Sequence, residues 1–118
     1  MLFRSYEDRF ALNALDTVTM DALLKAKWTS AIDALSNKDT TKALTYILST
    51  SRPSYQEMFT ALINQLPSII ATQTEFNLVS VTDDVAKYEL ITLENGETYS
   101  YEVILRKDEN GQWLIEGF

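Results

Sequence analysis

Apolar residues recur with helical spacing through the first part of the chain and alternate through the last. Met20, Leu24, Trp28, Ala31 and Leu35 are spaced four, four, three and four, one stripe of a helix that Leu23 and Ile32 widen. Thr17 or Thr19 is the expected N-cap, and Asp21 in the first turn suits the helix dipole. Ser36-Asn37-Lys38 ends the stripe, and Asp39 can cap a shorter helix carrying Ala43, Leu44, Ile47 and Leu48. Ser51-Arg52-Pro53 then breaks the chain. Ser54 to Glu57 has the spacing of a capping box, ahead of a face formed by Tyr55, Met58, Phe59, Leu62, Ile63 and Leu66. Pro67 ends or kinks this third helix, leaving a short turn through Ile69 and Ile70.

From about Glu75 the period changes to two. Phe76, Leu78, Val79 and Val81 belong to a first strand, Glu75 to Thr82, and Asp83-Asp84 reads as a turn. Asn95-Gly96 between two alternating runs signals a two-residue type I′ hairpin. That turn pairs Glu94 with Glu97, and beyond it Thr92 with Tyr99, Leu90 with Tyr101 and Tyr88 with Val103 form one apolar face continued by Ala86 and Leu105. The opposite face pairs Lys87 with Ile104, Glu89 with Glu102, Ile91 with Ser100 and Leu93 with Thr98. The second turn, Asp108 to Gly111, is ambiguous by one residue. A three-residue loop with Gly111 left-handed sets Ile115 beside Leu105, whereas a two-residue turn sets Glu116 there. Burying isoleucine instead of an unpaired carboxylate favours the longer loop. The expected fold is α+β, three N-terminal helices packed on one face of a bent antiparallel four-stranded sheet.

Composition narrows the chemistry. The chain has 118 residues, room for a single core. It contains neither Cys nor His, which excludes disulfides, thiolate chemistry, histidine triads and the usual zinc ligands. Residues 1–74 carry seven acidic and seven basic side chains, while 75–118 carry ten acidic against Lys87, Arg106 and Lys107, so the net charge of −7 sits wholly in the strands. Such a balance is poor for nucleic acid, and no stretch is apolar enough to insert in a membrane. Residues 1–10 include Arg4, Glu7, Asp8 and Arg9 and lack the apolar core of a signal peptide. No cofactor and no metal is expected: Asp108-Glu109-Asn110-Gly111 has its glycine at the wrong position for a calcium loop.

A long first helix with a mid-helix Trp28, a second after Asn37-Lys38-Asp39, a third before four strands, and an ending of Ala86-Lys87-Tyr88-Glu89, Tyr101-Glu102-Val103-Ile104-Leu105 and Gly111-Gln112-Trp113-Leu114-Ile115 resemble the nuclear transport factor 2-like superfamily. The resemblance covers about residues 15–118, leaving 1–14 as an N-terminal extension or linker. It implies a cone-shaped α+β fold and is similar to uncharacterised bacterial domains often carried at the end of larger exported proteins. The superfamily hosts isomerases, dehydratases, transport adaptors and plain binding or dimerisation modules, so the fold does not choose among them.

In such a cone the candidate ligand-pocket residues are Tyr88, Tyr99, Tyr101 and Trp28, facing a small apolar ligand. An isomerase or lyase would need a carboxylate with them, and none shares their strand face; Asp33 turns away from the helix stripe. A non-catalytic accessory, binding or dimerisation domain is therefore the leading expectation, with the isomerase or lyase as the alternative. On the outer face Ile91, Leu93, Ile104 and Leu114, with Phe118, accompany Lys87, Glu89, Glu102 and Arg106, a mixture that suits a homodimer contact.

Overall fold

A computed structural model describes residues 2–118, with side chains from residue 17 onward. The order is α1 (Leu2–Ser36), α2 (Thr40–Leu44), α3 (Arg52–Ala61), α4 (Leu66–Ile70), then β1 (Gln73–Val81), β2 (Val85–Glu94), β3 (Glu97–Lys107) and β4 (Trp113–Gly117). The helices pack against one face of an open antiparallel sheet of order β1-β2-β3-β4, the expected α+β architecture with one more short helix.

The first helix does not start at Thr17 or Thr19. It runs unbroken from Leu2 because no Gly or Pro interrupts Leu2–Ser36, and two threonines do not end a helix without a breaker. Its C-terminus is set by Lys38, which takes the left-handed conformation at φ 60°. The Asp39 amide then donates to Ala34 O and the Lys38 amide to Leu35 O, satisfying two carbonyls the helix end would leave open. Asp39 caps α2 as expected, accepting from the Lys42 amide at 3.1 Å.

Ile47 and Leu48, expected on α2, instead lie alongside β4. Ile47 bridges Ile115 in parallel, the Ile115 amide donates to Tyr46 O and the Leu48 amide to Ile115 O, each at 2.8 Å. The next helix starts at Arg52, not within the Ser54–Glu57 box, because Pro53 favours the first turn. Ser51 precedes it, but its hydroxyl donates to Glu116 O at 2.8 Å and so ties α3 to β4. Pro67 plays the same part in α4, opening a helix where a terminating turn was expected.

The hairpin register is the one the Asn95-Gly96 turn dictates, from Glu94 opposite Glu97 to Val85 opposite Arg106. Asn95 and Gly96 both have positive φ, 53° and 81°, as a type I′ turn requires. Leu105 faces Ile115, so the longer loop at Gly111 is the one formed. Beyond it the register shifts: Ile104 faces Gly117, leaving Glu116 as an extra residue in the strand. That shift brings Phe118, expected on the outer face, back to the helix side, where its ring meets Trp28 and Tyr55.

The core lies between α1 and the sheet. Leu24, Trp28, Ala31, Ala34 and Leu35 from the helix are buried with Ala86, Tyr88, Leu90, Val103, Leu105, Trp113 and Ile115. Leu23 is exposed, while Ile32 packs against the core as expected and Ala34 joins the stripe.

Candidate functional site

Between helix and sheet the rings form a continuous series. Tyr88 stacks on Phe76 at 4.2 Å between centroids, Phe76 stacks on Trp28 at 4.8 Å, and Trp28 meets the edge of Phe118 at 5.3 Å. Phe118 stacks on Tyr55 at 4.8 Å, and Tyr55 leans on Phe59. The Phe118 amide also donates to the Tyr55 hydroxyl at 2.9 Å. Trp28 is thus buried in the helix stripe against β1, and it shares a shallow notch of about 170 Å³ with Phe76 and Leu90.

Tyr88 ends this series with a polar contact. Its hydroxyl donates to Asp21 Oδ1 at 2.6 Å, and Asp21 Oδ2 meets Lys25 Nζ one turn on at 3.2 Å. Carboxylates therefore do reach the tyrosine face, Asp21 from the helix at Tyr88 and Glu94 and Glu97 from the strands beside Tyr101 and Tyr99. Burial, then the hydrogen bond to Asp21, then the Asp21 charge all push the phenol well above the usual tyrosine range. The pair has the ingredients of acid-base chemistry, but the phenol is committed to Asp21 and its ring is covered by Phe76.

Tyr99 and Tyr101 lie on the same sheet face yet are not enclosed with Tyr88 and Trp28. The hairpin runs on past the helices, so both rings are exposed, 6.4 Å apart with their planes inclined by 26°. Tyr101 donates to Glu94 Oε2 at 2.9 Å and Tyr99 to Glu97 Oε2 at 2.8 Å. The Thr92 hydroxyl, on a buried residue, also donates to Glu94 at 2.6 Å. Hydrogen bonds from Thr92 and then Tyr101 hold the Glu94 carboxyl below the usual range, while their glutamate partners raise both tyrosines.

On the outer face Glu89 stands opposite Glu102 as the turn requires, and Ser100 donates to Glu89 Oε2 at 3.0 Å. Arg106 does not balance that pair; it bonds Glu116 at 2.9 Å. Of the four apolar interface candidates, Leu93 is 52% exposed, Ile91 and Ile104 are half-buried, and Leu114 is buried at 6%. Leu114 is withdrawn because the chain from Ile47 to Arg52 runs beside β4; it lines a cleft with Ser49, Arg52 and Gln112. Val79 adds an exposed apolar side chain that the alternating pattern did not single out, at the residue where β1 loses register with β2.

Among the described residues no cluster of acidic side chains is grouped as a metal ion would need, and no helix is long and apolar enough to cross a membrane. Sequence reasoning missed Glu94 and Glu97 as partners of Tyr101 and Tyr99, and it missed Asp21. Its position one turn before Lys25 and one turn after Thr17 read as a helix-start acid; only the crossing of α1 over β2 reveals its partner. No protein-family model matches the chain, and no curated protein matches it.

Proposed function

We propose that the chain is a non-catalytic accessory domain of the nuclear transport factor 2-like kind that works by association through the uncovered parts of its sheet, not by enclosing a substrate. The observation that carries this reading is the series Tyr88-Phe76-Trp28-Phe118, in which the protein's own rings stack on one another between helix and sheet and engage the candidate pocket residues Tyr88 and Trp28. On the sheet, Leu93, Val79, Tyr99 and Tyr101 stay accessible, while Val18, Leu23, Met58 and Ile69 are exposed singly on the helices. Titration with the apolar dye anilinonaphthalene sulfonate tests it. The native domain is expected to give no saturable dye fluorescence and no quenching of tryptophan emission. Saturable binding that depends on Trp28 would overturn the reading in favour of a small apolar ligand.

The isomerase or lyase alternative draws on one contact, Tyr88 to Asp21, because a tyrosine and a carboxylate at 2.6 Å are what proton abstraction next to a carbonyl would use. Turnover of a ketone substrate that is lost in both Tyr88→Phe and Asp21→Asn, with folding intact, would establish it.

A further inference from the structure

We infer that two copies of this domain join edge to edge through β3, in antiparallel register centred on Tyr99. The inference rests on the association reading above and names its partner.

β3 spans Glu97–Lys107, but β4 pairs only with Ile104 to Lys107. From Glu97 to Val103 the side of β3 away from β2 has no backbone partner among the described residues. The two-residue turn makes Glu94–Glu97, Thr92–Tyr99 and Leu90–Tyr101 the pairs that exchange hydrogen bonds with β2. Thr98, Ser100 and Glu102 therefore turn their N–H and C=O groups to the open edge. Residues 97–102 are all exposed.

Open edges are commonly blunted by bulges, Lys or Pro. The other edge strand, β1, follows that rule, with register breaks between Gln73 and Glu75 and between Leu78 and Ser80. β3 does not: Glu-Thr-Tyr-Ser-Tyr-Glu-Val contains no Lys, Pro or break in register. It is unbroken in register with β2, rich in β-formers and displays two aromatic rings.

Symmetry and space then choose the register. An antiparallel pair must oppose residues of the same face. Centring on Ser100 would put the second copy's Gly96 opposite Ile104, the place Gly117 already holds. Centring on Tyr99 puts that Gly96 opposite Glu102, clear of β4. Tyr99 then meets its own copy in a non-hydrogen-bonded pair, where side chains approach most closely. Thr98 and Ser100 exchange backbone hydrogen bonds with Ser100 and Thr98 of the second copy. Glu97 falls opposite Tyr101, so no carboxylate opposes another. The charge of −7 on each copy still repels, so the contact strengthens with salt.

The test combines sedimentation velocity with amide exchange on the intact chain. A concentration-dependent dimer is expected, stronger at moderate than at low salt. The Thr98 and Ser100 amides should slow as concentration rises, while those of Tyr99 and Tyr101, already bonded to β2, should not change. Ser100→Pro and Tyr99→Lys should each weaken the dimer by about tenfold or more. Tyr99→Lys alters only an exposed side chain and serves if the proline disturbs the hairpin. A dimer broken by Ile104→Glu but indifferent to both variants would move the contact to the outer face and overturn the edge, leaving the association reading standing. A chain that stays monomeric at every concentration and binds the apolar dye would overturn both; a monomer that binds none would overturn the edge alone.

Discussion

Tyr88 on β2 gives its phenol hydrogen to Asp21 on α1 across the helix–sheet boundary, 2.6 Å from oxygen to oxygen. It is the polar anchor of an otherwise apolar interface, since Tyr88 is 1% exposed while Asp21 remains open enough to keep Lys25 beside it.

Replacing Tyr88 with Phe keeps the ring stack and removes this hydrogen bond. The expected loss is about 1.5–3 kcal/mol in denaturant melts, the range for a hydrogen bond to a charged group.

Burial of Tyr88, reinforced by this contact, makes stability fall in alkali. An unfolded tyrosine ionises near pH 10, whereas Tyr88 holds its proton well above that. Above about pH 10 the folded state binds more protons than the unfolded one, so stability declines as pH rises. Ultraviolet titration should show a phenol that ionises last or only on unfolding, and the Tyr88→Phe protein should lack it and lose stability less steeply.

Trp28 carries the stack between helix, β1 and the final residue. Trp28→Ala should cost roughly 3–5 kcal/mol, the range for a large aromatic removed from a core. A loss under ~1 kcal/mol would place it outside the cooperative core.

Gly96 has open space around it, yet its φ of 81° is one that side chains resist. Gly96→Ala should therefore destabilise by about 1–2 kcal/mol through backbone strain alone, with no change in the core's near-ultraviolet dichroism.

At the hairpin end, carbon-detected titration should find Glu94 ionising below an ordinary glutamate, held there by Thr92 and Tyr101. A group depressed in the folded state contributes stability above its unfolded pKa and loses it as pH falls. Tyr101→Phe should move Glu94 back toward the ordinary value.

What could be read from the sequence was what local chemistry decides. Asn95-Gly96 sets every pair of β2 and β3, and Asp39 caps α2, because both depend on neighbours within a few positions. The face shared by Tyr88, Tyr99 and Tyr101 was equally legible. How far the helices cover that face was not, so Tyr99 and Tyr101 emerge in solvent while Tyr88 is buried. The Asp21 contact was hidden for a related reason: reading Thr17 or Thr19 as a cap assigned the aspartate to a helix start that the unbroken α1 does not have. Phe118 changes side because an extra residue, Glu116, enters the strand, and alternation cannot foresee a bulge.

The joining of Ile47 to Ile115 has a consequence for how the chain assembles. The β1–β3 meander closes through short turns and can form early, as low-separation contacts do. β4 gains its second neighbour only when a segment from before α3 returns, as the Ser51–Glu116 bond across 65 positions records. Loop closure of that length is slow to be repaid, so docking of β4 against Tyr46–Leu48 should be the late event of folding. Substitutions such as Ile47→Val should then accelerate unfolding and leave the folding rate nearly unchanged.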